Sequence, residues 1–372
     1  MGPSSSPLTS IEICAGAGGQ AVGLHGAGFR HLALVEIDKY AVETLKLNVA
    51  RRREWIWEKQ NCKILSMDVK DFKPFEEIDS SKLESGSLDL LAGGVPCPPF
   101  SVAGKQLGVD DERDLFPTML NLVEQVRPRA VMIENVRGIL QPDHKFRGYR
   151  EQIMGRLTEA GYEVCGWRVL EARDYGVPQL RPRAILVAIR QDCYRGFDWP
   201  NPSDIPLKTV AEALAPSMRR RYKDDWETYQ RWLKQAQTGT VAPTLVGGSK
   251  KHGGADLGPS RAKAAWRLLG IDGMGVANDE DAVDPKRDLY SENGPKLTVS
   301  QASIIQGFPE NWKFFGGKTA RYRQVGNAFP PPVAQAVGLS IAEALRRTGP
   351  LVCRRLAEED SDSVREADLL FV

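Results

Sequence analysis

Short apolar runs alternate with amphipathic segments over the first half of the chain. Apolar runs of strand length lie at residues 11–14, 32–35, 88–92, 130–133 and 184–189. The intervening segments with helical periodicity lie at 19–28, 39–50, 115–126 and 149–160. Strand and helix in turn predict an α/β fold, a doubly wound and mostly parallel sheet with helices on both faces.

The pattern weakens after Trp199-Pro200-Asn201-Pro202, where Gly, Pro, Lys and Arg become frequent until about residue 290. A helical pattern then resumes at 332–346. We therefore expect a large α/β domain, a second smaller irregular domain, a helical segment that returns to the first domain, and a charged flexible tail. Their predicted bounds are 8–193, 194–320, 321–348 and 349–372.

Net charge and the placement of cysteines indicate which kinds of site and cellular location to expect. The net charge is +2 with a pI near 8.1, so a nucleic-acid surface would have to be a local basic patch. The six cysteines and four histidines are dispersed and show no zinc spacing, so we expect no metal site. The first ten residues do not read as a signal peptide, and no apolar run is long enough to span a membrane. These features indicate a cytoplasmic protein.

A glycine-rich loop follows the first apolar run. Ala15-Gly16-Ala17-Gly18-Gly19 would let the backbone turn sharply and bring a ligand close to the next helix. Glu36 closes the second run, where a carboxylate can accept hydrogen bonds from ribose hydroxyls. The pattern predicts a nucleoside site. Gly16-x-Gly18-x-x-Ala21 also meets a loose dinucleotide pattern, so an NAD enzyme stays open, as does a tight turn without a ligand.

A lone thiol follows the run at 88–92, in Pro96-Cys97-Pro98-Pro99. Proline has a fixed φ, so this turn is held rather than mobile. Ligands and catalytic groups collect at such strand ends in α/β proteins, and a rigidly aimed thiol there is a candidate nucleophile. A packing cysteine is the alternative.

A second chemical cluster involves a carboxylate and two arginines. Glu134 ends the run at 130–133, where desolvation would raise its pKa and suit it to act as a general acid. Arg181 and Arg183 alternate at the start of a strand and so share a face. They can hold a carboxylate, a base carbonyl or a phosphate. Individually these groups could be a helix cap and solvated charges, but together with Cys97 they predict one active site.

In order and spacing, these blocks resemble the DNA cytosine-5 methyltransferase family, including its bacterial restriction–modification members. The resemblance covers roughly residues 10–345 and omits a variable stretch at about 195–285. It rests on the blocks at 12–19, 36, 68–69, 93–101, 134–136, 179–183, 296–298, 306–309 and 324–327.

The resemblance implies methyl transfer from S-adenosylmethionine to carbon 5 of a flipped-out cytosine in duplex DNA, through a covalent Cys97 adduct. It makes 8–193 the catalytic and cofactor-binding domain and places the target-recognition region in 194–320. The implied catalytic residues are Cys97, Glu134, Arg181 and Arg183. The implied cofactor-binding residues are Cys14, Ala15, Gly16, Gly18, Gly19, Glu36, Ile37, Asp68, Val69, Pro96, Leu115, Asn327 and Ala328.

Double-stranded DNA is the expected partner of the chain, which we expect to act as a monomer. A Gly/Lys/His loop at 247–254 is a local basic patch that can follow a groove and contact phosphates and base edges. The expected DNA-binding residues are Ser101, Lys105, Gln179, Lys250, Lys251 and His252. A cognate restriction endonuclease acting separately is a further expected partner in the bacterial cytoplasm.

Three positions depart from the family pattern. Cys14 stands where phenylalanine is common, and Pro98 follows the catalytic cysteine where glutamine is usual. Ala328 stands where serine is frequent, which removes a hydroxyl contact to the methionine end of the cofactor. None of these changes touches the bond-making groups.

Other functions remain as alternatives. A tRNA cytosine-5 methyltransferase of the same family is the nearest, although the long variable region favours duplex DNA. The second alternative is a DNA methyltransferase that acts on an amino group, because Cys97-Pro98-Pro99-Phe100 is similar to the Asn-Pro-Pro-Phe block of those enzymes. They need an oxygen acceptor at the position where this chain has the sulfur of Cys97. An inactive nucleic-acid-binding module is the third.

Overall fold

A seven-stranded sheet organises the first half of the protein. The computed structural model describes residues 7–96, 114–202, 205–247, 255–278 and 284–348. The strands are β1 Leu8–Ile13, β2 Phe29–Glu36, β3 Lys63–Ser66, β4 Leu90–Gly93, β5 Ala130–Val136, β6 Tyr162–Glu171 and β7 Pro182–Arg190. They lie in the order β3-β2-β1-β4-β5-β7-β6.

The α-helices of the described residues flank the sheet and build the second half. Those of the first half are α1 Gly19–Gly26, α2 Lys39–Arg51, α3 Ile56–Asn61, α4 Pro74–Glu77, α5 Phe116–Val126 and α6 Arg147–Glu159. The others are α7 Val210–Tyr222, α8 Trp226–Ala236, α9 Ser260–Leu268, α10 Pro285–Asp288, α11 Val299–Gln306, α12 Lys318–Asn327 and α13 Pro331–Thr348.

Strand direction confirms the predicted doubly wound, mostly parallel sheet. β1 pairs in parallel with β2 and β4, and the parallel pairing continues to β3 on one side and to β5 on the other. β7 runs antiparallel between β5 and β6. The sequence pattern missed β6 because this edge strand is mostly half-exposed and lacks a continuous apolar run.

Each face of the sheet has its own apolar core. On one face, Ile11, Ile13 and Ile133 pack with residues of α5 and α6. On the other face, Ala92 and Met132 pack with residues of α1 and α13. The last helix of the described chain therefore covers the sheet beside the first.

The second half has a separate core. Its buried members come from α7, α8, α9, α11 and α12, and include Trp232, Trp266 and Tyr322. A smaller cluster joins the two halves where Trp312 and Phe308 contact Leu45 and Ala15 near the first loop. Two helices of this region begin with reciprocal capping boxes, Thr209 with Glu212 and Thr298 with Gln301, which fix the helix starts locally. No helix of the described residues has both the length and the apolar character needed to cross a membrane.

Close contact between α1 and α13 depends on a glycine. A Cβ atom at Gly23 would lie 2.4 Å from the carbonyl oxygen of Pro331 and 2.5 Å from the Cβ of Ala334. At Gly26, in the same helix, an added Cβ would meet the flexible end of the Gln335 side chain at 3.1 Å. The two helical glycines thus differ in whether a rigid backbone stands in the way.

We expect Gly23→Ala to lower the free energy of unfolding by about 1–3 kcal/mol, the usual cost of overpacking. Alanine normally stabilises a helix relative to glycine, so Gly26→Ala should be neutral or stabilising by up to about 1 kcal/mol. Urea unfolding of both variants measures the difference. An equal effect of the two substitutions would contradict the steric explanation.

Candidate active site

A cavity of about 270 Å³ opens at the carboxyl ends of β1, β2, β4 and β5. Its walls come from the loop after β1, the ends of the neighbouring strands and the segment that joins α12 to α13. Glu36 lines the cavity as well as Glu134, so the predicted nucleoside site and the predicted acid share one space.

The glycine loop is built around the carboxylate of Glu36. Cys14, Gly16 and Gly18 all have positive φ, at 51°, 54° and 88°, which turns the chain sharply after β1. The Gly16 amide donates to Oε2 of Glu36 at 2.7 Å, and the Asp38 amide donates to Oε1 at 2.7 Å. Burial raises the pKa of Glu36, and these two amide bonds act against that rise.

Seven of the predicted cofactor residues line the cavity. They are Cys14, Ala15, Gly16, Gly19, Glu36, Asn327 and Ala328. Burial raises the pKa of the Cys14 thiol to about 12, assisted by the nearby carboxylates of Glu36, Asp68 and Glu12. The side chain that replaces the usual phenylalanine is therefore a neutral thiol.

The other six predicted cofactor residues do not line the cavity. Gly18 caps α1, where a Cβ would lie 2.8 Å from both Leu45 and Trp312. Ile37 is 66% exposed beside the site. The carboxylate of Asp68 accepts from the Lys70 amide, and Val69 packs in the core. Pro96 is exposed, and Leu115 packs against the core just before α5.

Glu134 and Arg183 form an ion pair across neighbouring strands. The Nε atom of Arg183 lies 2.8 Å from Oε1 of Glu134, with both side chains largely buried. Burial raises the pKa of Glu134, while the positive charges of Arg183 and Arg181 oppose the rise. A Cβ at Gly94 would lie 3.0 Å from Oε2 of Glu134, so glycine leaves room for the acid. This arrangement suits a carboxylic acid held in a fixed orientation.

Arg181 has a different role from Arg183. It is 1% exposed, and its guanidinium donates to the carbonyl oxygens of Leu245, Gly326 and Ala328 at 2.7–3.0 Å. These three bonds to backbone carbonyls make Arg181 a positioning residue. Its catalytic assignment stays a prediction, because strand alternation places the two arginines on one face without showing which ligands each would find.

Gln179, which the sequence predicts to bind DNA, lies in the interior of the described protein, and its DNA-binding role stays a prediction. It is fully buried, and its amide group donates to Gln306 Oε1 at 2.7 Å and accepts from the Leu245 amide at 2.8 Å. It thereby joins the start of β7 to the second half of the chain.

The other predicted catalytic and DNA-binding residues lie outside the described residues. They are Cys97, Ser101, Lys105, Lys250, Lys251 and His252. The segment leading to Cys97 is described as far as Pro96, and Asn135 holds it by donating from Nδ2 to the Val95 carbonyl at 2.8 Å.

Several cavity residues were not predicted from the sequence as site residues. Gln20, Tyr40, Arg323, Gln324 and Phe329 all line the cavity. Gln324 belongs to the block at 324–327, which was a usable signal. Nothing in the pattern marked Gln20 or Arg323. No group of three or more metal-ligating side chains is found in the parts of the chain that the structure describes.

Comparison with known proteins assigns the chain to a family. The family model of C-5 cytosine-specific DNA methylases matches residues 8–343. The Type II methyltransferase M.NaeI of Lentzea aerocolonigenes is 49% identical over 346 residues, covering 92% of this chain and 76% of that protein. The Type II methyltransferase M.NgoMIV of Neisseria gonorrhoeae is 45% identical over 344 residues, covering 91% of this chain and 99% of that protein.

A solved structure shows the same fold at low identity. A variant of Spodoptera frugiperda DNMT2 superimposes with a TM-score of 0.58 at 16% identity, covering 91% of this chain and 99% of that one. The family match spans both the cavity and the second half of the protein. The chain is therefore a member of the C-5 cytosine-specific DNA methylase family.

Proposed function

We propose that this DNA (cytosine-5-)-methyltransferase transfers a methyl group from S-adenosylmethionine to carbon 5 of a cytosine flipped out of duplex DNA. The main support is that the Glu134–Arg183 pair and the loop around Glu36 line or border one cavity. A base-recognising acid and a nucleoside site therefore lie within reach of each other. The Type II relatives support a role in a restriction–modification system.

The residues of the cavity fit the proposed cofactor. The carboxylate of Glu36 faces the loop after β1, and a carboxylate at the end of the second strand can accept from ribose hydroxyls. Gln20 and Glu12 contribute buried polar atoms without a hydrogen-bond partner among the described residues. When bound, S-adenosylmethionine supplies an electrophilic methyl group.

Carbon 5 of cytosine is a poor nucleophile and must be activated. In the proposed mechanism, the Cys97 thiolate adds to carbon 6 of the ring, which makes carbon 5 an enamine carbon able to accept the methyl group. A base then removes the proton from carbon 5, and the thiol is eliminated. The target atoms are inaccessible inside the stacked duplex, so the base must be flipped into the site.

Glu134 acts on the ring in its protonated form. Its carboxylic acid donates to ring nitrogen 3, and its other oxygen accepts from the exocyclic amine, which distinguishes cytosine from thymine. Its raised pKa favours the protonated form. Arg183 fixes the orientation of Glu134 at 2.8 Å and holds the carbonyl oxygen of the base.

Substrate recognition is assigned to the region 194–320, and the enzyme acts as a monomer on double-stranded DNA. A restriction endonuclease acting separately on the same sequence is the expected partner. Methylation of the cell's own DNA would place the enzyme in the bacterial cytoplasm.

Methyl transfer from labelled S-adenosylmethionine should occur to duplex DNA and not to tRNA. Digestion of the product and mass spectrometry should find 5-methylcytosine. Transfer to tRNA alone would reject the proposed substrate.

Because the thiolate is the nucleophile, Cys97→Ser should lose turnover by more than about a thousandfold while still binding DNA. A Cys97→Ser protein that methylates normally would reject the covalent mechanism.

The pH dependence of the rate should report the Glu134–Arg183 pair. Arg183 favours the ionised carboxylate, so Arg183→Gln should raise the pKa of Glu134 further. The acid is active when protonated, so the limb of kcat/KM that falls with rising pH should move to higher pH. Overall kcat should fall, because the acid loses its orienting partner.

Arg195→Gln provides a matched control, since Arg195 is exposed and bonds to the carbonyl of its neighbour Tyr194. It should leave both the rate and its pH profile unchanged. A shift of the limb to lower pH in Arg183→Gln would show that Glu134 is not the titrating acid.

A further inference from the structure

Gln20 is a buried amide side chain that takes no part in the proposed chemistry of the base. It lies in the first turn of α1, is 4% exposed and lines the cavity. Neither its Nε2 nor its Oε1 atom has a hydrogen-bond partner among the residues that the structure describes. Burying a donor and an acceptor without partners costs free energy, so an amide kept in this state points to a ligand.

A second unpartnered group lies in the same wall. Oε2 of Glu12 is buried, has no hydrogen-bond partner within the described chain and belongs to a residue that lines the cavity. Burial and the nearby Glu36 carboxylate raise the pKa of Glu12 well above its usual value, a penalty that a cationic group would relieve.

These atoms are complementary to an α-amino acid. The Nε2 hydrogens of Gln20 can donate to a carboxylate, and the amino-terminal turn of α1 also favours a negative group. Oε1 of Gln20 and Oε2 of Glu12 can accept from an ammonium group. A purely apolar or purely anionic ligand would leave part of this set unsatisfied.

The position of Gln20 in the cavity selects one end of the proposed cofactor. Glu36 serves the nucleoside end, and Glu134 serves the target base. Gln20 follows Gly19, at which a Cβ would lie 3.2 Å from the Cβ of Ala328. Ala328 offers no side-chain hydroxyl, so another side chain of this wall must provide the hydrogen bonds to the cofactor.

We propose that Gln20 is the positioning residue that binds the α-amino-carboxylate end of S-adenosylmethionine, with Glu12 beside it accepting from the ammonium group. This assignment rests on the proposed function, because it requires that the cavity hold this cofactor. Gln20 thereby sets where the sulfonium carbon points along the cavity.

Calorimetric titration with two nucleosides tests the assignment. S-adenosylhomocysteine contains the amino-acid end, whereas 5′-deoxy-5′-methylthioadenosine has the same nucleoside and thioether without it. Gln20→Leu should weaken S-adenosylhomocysteine about ten- to a hundredfold, the loss expected for hydrogen bonds to charged groups. It should change the affinity for methylthioadenosine by less than about twofold, since the nucleoside contacts remain.

Thermal unfolding without ligand separates a cofactor-binding role of Gln20 from a structural role. A structural role predicts that Gln20→Leu lowers the unfolding temperature. Leucine removes two unpartnered buried polar atoms, so the unliganded Gln20→Leu protein should unfold at the same or a higher temperature than the wild type. Gln20→Met, of similar length, serves as a second variant with the same expectations. Gln230→Leu, at an exposed glutamine of α8 in the second half of the protein, is the matched control and should change none of these values.

Unchanged affinity for S-adenosylhomocysteine in both variants would overturn the assignment. Equal weakening of the two nucleosides, or a lower unfolding temperature without ligand, would also overturn it, because either result indicates a structural role for Gln20. A wild-type protein that binds neither nucleoside would instead reject the proposed cofactor site itself.

Discussion

The buried guanidinium of Arg181 is the interaction on which the arrangement of the site depends. A positive charge removed from water needs hydrogen-bond acceptors, and here the two terminal nitrogens of the guanidinium donate to backbone carbonyls at 245, 326 and 328. These carbonyls belong to two segments far apart in the chain. Arg181 therefore fixes the start of β7 to both of them, and Arg183, two residues further on, is delivered to Glu134.

The same contact connects the cofactor wall with the second half of the protein. Leu245 is held by Arg181 and by Gln179, and it precedes Gly247, where a Cβ would lie 2.2 Å from Oδ1 of Asn327. Asn327 lines the cavity. A glycine is needed at 247 because the backbone passes directly over this side chain. The described chain thus packs on the wall of the cavity as far as Gly247.

Much of the fold and part of the site could be predicted from the sequence. Apolar runs revealed the buried strands, and chemistry at their carboxyl ends pointed to Glu36 and Glu134, because parallel strands bring such ends together. The burial of each side chain and its hydrogen-bond partners were not predictable in the same way. Strand alternation placed Arg181 and Arg183 on one face, yet only the packing of residues 245 and 326–328 makes Arg181 a buried anchor. The burial of Gln179 was not predictable for the same reason, and Gln20 has no local signal since its position depends on a cavity formed by distant segments.

The electrostatics of the cavity show which chemistry suits the Cys14 thiol. Cys14 follows β1 and Cys97 lies beyond the end of β4, and these two strands are paired. Only a thiolate is an effective nucleophile, and a thiolate is disfavoured by burial and by negative neighbours. Cys14 has both, with Glu36, Asp68 and Glu12 raising its pKa to about 12. It is therefore suited to packing against a neutral ring and not to attack on one. A wall rich in buried carboxylates instead favours positive groups, and the proposed methyl donor carries two of them, its sulfonium and its ammonium.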